Sequence, residues 1–125
     1  MMQKRKIYLY DTTLRDGQQT QGVQFSTPDK QLIMKELDAL GLDYIEGGWP
    51  GANPTDEEFF LSLPKTTSSK ISAFGMTKRV GISVENDDVL SAVINAQTSA
   101  VCLVGKASQH HVQNALNVTL KENTS

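Results

Sequence analysis

A chain of 125 residues, 38% hydrophobic and 21% charged, has the size and balance of one compact domain, which excludes both a disordered tail and two independent cores. Twelve basic against 14 acidic residues, a net charge of −2 and a pI near 5.6 give no electrostatic footprint for a phosphate backbone, so nucleic acid is not an expected partner. No stretch approaches the ~18 apolar residues of a membrane span, no uninterrupted apolar run opens the chain, and the one cysteine, Cys102, forms no internal disulfide; we expect a cytoplasmic protein without a membrane partner, with Cys102 as a small buried hydrophobe.

Ile7 to Tyr10 opens a β-rich run that continues through Asp11-Thr12-Thr13-Leu14 and breaks at Asp16-Gly17 into a polar loop, which predicts a first strand. Lys4, Arg5 and Lys6 before it read as a solvated flank. At Ser26-Thr27-Pro28-Asp29 a helix starts, with Thr27 as cap, Pro28 in the first position and Asp29 against the dipole. Leu32, Ile33, Leu37 and Leu40 recur at helical spacing as its apolar face, and Gly41 supplies a left-handed stop.

Residues 42–48 predict a second strand, and Trp49-Pro50-Gly51-Ala52-Asn53-Pro54 excludes regular structure after it. An acidic-headed helix begins at Thr55-Asp56-Glu57-Glu58 and runs through Leu63 to Pro64. A third strand follows over Ile71 to Met76, a helix over Asp87 to Gln97, a fourth strand over Ala100 to Val104, and a last helix over Gln109 to Glu122. Four β-then-α units of roughly thirty residues, with no hairpin signal between them, force the strands to pair in parallel.

Parallel strands joined by right-handed crossovers build an open doubly wound sheet or a closed barrel, and periodicity does not choose between them. No Gly-x-Gly-x-x-Gly follows the first strand, and polar residues gather at the C-terminal strand ends, where a barrel keeps its chemistry. The expected fold is therefore α/β, the N-terminal half of a parallel TIM (β/α)8 barrel, with residues 1–125 as a partial domain of about four βα units.

Asp11-Thr12-Thr13-Leu14-Arg15-Asp16-Gly17-Gln18-Gln19 sets a guanidinium, a carboxylate and an amide at the end of the first strand. Such a group either binds a divalent cation and an oxoacid or is a strand-end ion pair above an Asp-Gly turn. Leu14-Arg15-Asp16-Gly17-x-Gln19, then ten residues, then Lys30 resembles the N-terminal signature of the family containing 2-isopropylmalate synthase, homocitrate synthase and citramalate synthase. Tyr44 to Pro54 is similar to the citramalate synthase branch, and the likeness continues through Ala73 to Arg79 and Gly105-Lys106, covering residues from about 7 to 122.

That resemblance implies an acyltransferase that uses a divalent metal (Mg, Mn or Zn) and condenses acetyl-CoA with a 2-oxoacid. Pyruvate giving citramalate is favoured, with 2-oxoisovalerate giving 2-isopropylmalate next. Residue by residue, it implies Asp16 as metal ligand, Arg15 on the oxoacid and the developing alkoxide, and Gln19 as a nearby amide. Glu46 either orients Arg15 or satisfies buried backbone donors, and Phe74, Met76 and Val104 either shape a pocket for a small oxoacid or are plain core.

His110 and His111 are adjacent, so on a helix they point about 100° apart and read as surface residues. The family's His-x-His pair, its second-half carboxylate and asparagine, and its C-terminal regulatory domain have no counterpart in these residues, so the isolated chain is expected to bind metal weakly and to be inactive. Four strands of an eight-stranded barrel leave two edges open, which predicts a homo-oligomer. The other readings are a non-catalytic half-barrel that assembles with a partner, and an acyl-CoA lyase or oxoacid aldolase, which the Trp49 to Pro54 segment disfavours.

Overall fold

The computed structural model describes residues 3–124. Its four strands, β1 (Tyr10–Asp11), β2 (Tyr44–Gly48), β3 (Lys70–Met76) and β4 (Ala100–Val104), form one sheet in the order β1-β2-β3-β4, and every pairing is parallel. The helices are α1 (Thr27–Ala39), α2 (Pro54–Leu61), α3 (Asp88–Asn95), α4 (Gln109–Asn114) and α5 (Leu120–Thr124). Each strand lies beside the one before it, without the reversal that marks a doubly wound sheet, and this is the winding of a (β/α) barrel.

The first strand is shorter than its apolar run predicts, because its partner β2 begins only at Tyr44, opposite Tyr10. Its ladder begins where Tyr44 N donates to Leu9 O at 3.0 Å, and Ile7, Tyr8 and Leu9 stay exposed before it. Ser26 rather than Thr27 caps α1: its side chain accepts from Asp29 N while Asp29 accepts from Ser26 N, a capping box with Pro28 in the first turn. Gly41, at φ +80°, makes the left-handed stop that its position calls for.

The buried stripe of α1 is Thr27, Lys30, Met34 and Asp38, not the expected leucine face. Ile33 and Leu37 pack at its margin, while Leu32 and Leu40 are exposed. With Met34, the core between the sheet and helices α1 and α2 comprises Leu14, Ile45, Phe59 and Ile71. Gly47 lets the rings in, since a Cβ there would lie 2.9 Å from Phe59 Cε1 and 3.2 Å from Phe60 Cζ. Each such buried apolar side chain stabilises the fold by about 1.5–3 kcal/mol.

The second helix ends at Leu61, short of Leu63, and α3 covers less than the expected 87–97. The single last helix is instead two, α4 and α5, because Asn117 adopts φ +55° and Thr119 starts a new capping box with Glu122. Cys102 is half-buried rather than buried, since it lies on edge strand β4. No helix of the described residues is long and apolar enough to cross a membrane.

Candidate active site

The turn after β1 is set by its first two residues. Asp11 accepts from its neighbour Thr13 through N at 2.9 Å and Oγ1 at 3.0 Å. The Thr12 carbonyl accepts from Arg15, Asp16 and Gly17 N. This folds the chain back over the C-terminal end of the sheet and aims Arg15 across β2.

Arg15 Nε donates to Glu46 Oε1 at 2.5 Å, and its guanidinium carbon lies 4.2 Å from the centre of the Phe74 ring. Glu46 is buried and also accepts from the Tyr10 hydroxyl, which stands 3.0 Å from Ser72 Oγ. The partial burial of Tyr10 and its bond to Glu46 push the phenol well above its ordinary value. These side chains meet because the register pairs Glu46 with Ser72, and paired residues of parallel strands share a face. Phe74 with Cys102 and Met76 with Val104 extend that face toward the strand ends.

Arg15, Glu46 and Phe74 are thus brought into contact, and Glu46 holds the arginine directly. Asp16 follows Arg15 but turns outward, its carboxylate 66% exposed and 3.7 Å from Arg15 Nη1. Gln19 is exposed as well; its neighbour Gln18 instead turns in toward Asp56. Met76 and Val104 are half-buried side by side at the rim. His110 and His111 are exposed on α4, with Asn114 against His110.

Beyond Phe74, Trp49 packs edge-on at 5.3 Å, and its buried Nε1 has no hydrogen-bond partner among the described residues. A cavity of about 690 Å³ opens past the ends of β3 and β4, lined by Trp49, Met76, Lys78, Arg79, Leu90 and Lys106 among others. Asp87 fixes one wall by accepting from Arg79 N at 2.8 Å and capping α3 through Val89 and Leu90 N. The Arg79 hydrogen bond leads the contacts that hold the Asp87 carboxyl below its usual range.

A divalent cation needs several oxygen or nitrogen ligands. Asp16 offers one exposed hard oxygen donor, but among the described residues no three His, Cys, Asp or Glu side chains are grouped to hold an ion. Sequence reasoning also missed Tyr10, Gln18 and Asp56, and left Lys30 without a role. For Lys30 the signal was present, since it stands four residues before Met34 on the face that turns inward.

The HMGL-like family model matches residues 6–125 of this chain. The (R)-citramalate synthase of Aquifex aeolicus is 48% identical over 120 residues, covering 94% of this chain and 23% of that protein. A 2-isopropylmalate synthase of Caldanaerobacter subterraneus subsp. tengcongensis is 35% identical over 119 residues, covering 94% of the chain and 29% of that protein. The crystal structure of the HMG-CoA lyase of Bacillus subtilis superposes with a TM-score of 0.70 at 19% identity, covering 98% of this chain and 40% of that one. The sheet is accordingly the N-terminal half of a TIM barrel, and the chain spans only 23% to 29% of the length of those two relatives.

Proposed function

Because the chain belongs to the HMGL-like family, we propose that residues 1–125 form part of the catalytic barrel of a cytoplasmic acyltransferase that condenses acetyl-CoA with a 2-oxoacid. Pyruvate is the proposed oxoacid and citramalate the product, since identity to the citramalate synthase, 48%, exceeds that to the 2-isopropylmalate synthase, 35%. The observation that carries this reading is the Arg15 guanidinium, held by Glu46 at the C-terminal end of the sheet.

In the condensation a base takes a proton from the acetyl methyl group, and that carbon bonds to C2 of the oxoacid while the ketone π pair moves onto oxygen as an alkoxide. The alkoxide then takes up a proton, and water cleaves the thioester to release CoA. Arg15 spends its Nε–H on Glu46, which leaves its terminal N–H groups for the oxoacid and the growing negative charge. Glu46 fixes the plane of the guanidinium, and Phe74 stacks beneath it. Gln19 offers an amide from the same loop, and Phe74, Met76 and Val104 present an apolar surface suited to the methyl group of pyruvate. A divalent cation (Mg, Mn or Zn) with Asp16 as one ligand supplies Lewis-acid polarisation of the oxoacid when bound. With Asp16 alone contributed here, residues 1–125 by themselves hold such an ion weakly and do not turn over.

The test is release of free CoA from acetyl-CoA by the full-length protein, with pyruvate and 2-oxoisovalerate compared. Pyruvate is expected to give the higher kcat/KM, and Arg15→Lys to lower it about 100-fold. A preference for 2-oxoisovalerate overturns the substrate assignment. CoA release that ignores the oxoacid, or that survives Arg15→Lys, overturns the proposal itself.

A further inference from the structure

Beneath the Arg15 loop lies a buried ion pair that the mechanism above does not use. Lys30, from the second turn of α1, and Asp56, from the first turn of α2, are both fully buried, with Nζ 2.5 Å from Oδ1. Lys30 also stands 4.9 Å from the centre of the Phe59 ring. Burial pulls the Lys30 ammonium below its ordinary value, and the bond to Asp56 opposes that pull.

Asp56 gathers donors from two further segments. Trp49 N donates to Oδ2 at 2.9 Å, and Gln18 Nε2 stands 3.2 Å from both oxygens. The carboxylate sits directly on Gly48, where a Cβ would come within 2.6 Å of Oδ2 and where φ is +151°. Asn53 fixes the same residue from behind, accepting from Asp56 N at 2.8 Å. One carboxylate therefore ties together the loop after β1, helix α1, the segment after β2 and helix α2.

A buried ion pair is a poor device for stability alone, because desolvation offsets most of its attraction and an apolar pair of similar volume serves as well. An apolar pair does not, however, accept Gln18 and Trp49 N at once. We propose that Lys30 and Asp56 are positioning residues, which hold the loop carrying Arg15 and Asp16 through Gln18. The loop is then gripped at two points, Arg15 by Glu46 and Gln18 by Asp56, and Asp16 lies between them with its carboxylate exposed. Lys30 holds the Asp56 carboxylate in place, and Asp56 passes that placement to the loop. The consequence for metal binding rests on the reading of Asp16 as a ligand given above.

The test compares the full-length protein with Gln18→Ala, with the neutralised pair Lys30→Met/Asp56→Asn, with the three changes combined, and with Asp16→Asn. Amide hydrogen exchange is read over residues 12–20, Mn²⁺ affinity from loss of the free-ion electron paramagnetic resonance signal, and Tm by calorimetry. Gln18→Ala is expected to speed exchange of the Arg15 to Gln19 amides about ten-fold and to weaken Mn²⁺ binding about five-fold, with Tm within about 2 °C of the parent. The neutralised pair should loosen the same amides, and the combined variant should add little beyond it, because the residues act as a unit. Unchanged loop exchange in both Gln18→Ala and the neutralised pair overturns the inference, as does full additivity. Asp16→Asn separates the two readings: if it leaves Mn²⁺ binding unaltered, the metal assignment fails while the exchange data still judge the latch.

Discussion

Glu46 bears the most consequence of any single side chain here. It is buried, it accepts from both Arg15 and Tyr10, and among the described residues its charge is balanced by Arg15 alone. Glu46→Gln keeps the shape and removes the charge, so Arg15 loses its charged acceptor and one amide must serve two donors. The expected cost is about 1–3 kcal/mol in urea unfolding with an unchanged m-value. A variant as stable as the parent would mean that the cluster contributes nothing to the fold. Tyr10 was read from sequence as one more residue of an apolar strand; its hydroxyl reaches Glu46 because β1 pairs Tyr10 with Tyr44, two residues before Glu46.

At the level of helices and strands, Asp38 shows how far the sequence can be read and where it stops. Its carboxylate, near the C-terminal end of α1, accepts from Thr67, Ser68 and Ser69 N at 2.8 to 2.9 Å and so docks the segment that leads into β3. Those bonds, the Thr67 amide first, bring its pKa down to about 2 from an ordinary 3.8. A carboxyl depressed in the folded state stabilises above its unfolded pKa and loses that contribution as pH falls through the folded value. Unfolding titrations should therefore show Asp38-dependent stability lost between about pH 4 and pH 2, and Asp38→Asn should cost about 2 kcal/mol at pH 7 with a flatter profile in that window. An equally steep acid limb in the variant would place the effect elsewhere. Hydrophobic spacing located α1 and its ends but chose the wrong face, because it counts Lys30 and Asp38 as solvent-facing. One is paired with Asp56 and the other accepts from three backbone amides, and both sets of partners are distant in sequence. The Arg15 loop was readable, since Asp11 and Thr12 turn it locally; the inward turn of Gln18 was not, since its acceptor is 38 residues away.

For the assembled sheet, the argument concerns edges. Strands β1 and β4 each have one neighbour among the described residues, and they carry exposed apolar side chains, Ile7 at 79% and Leu9 at 56% leading into β1, Val101 and Leu103 at 50% on β4. Unpaired backbone groups flanked by apolar side chains form a template for another strand. A twofold axis along the barrel axis sets β4 of one copy beside β1 of a second and keeps all eight strands parallel, so one interface formed twice closes a ring. We expect residues 1–125, prepared alone, to sediment at micromolar concentration with about twice their 13.7 kDa mass. Shortening the apolar lead-in with Leu9→Lys should shift that equilibrium toward monomer, because a charge on an edge opposes pairing. A clean monomer for the parent would show that these edges are closed by some other means, and a dimer indifferent to Leu9→Lys would place the contact away from β1.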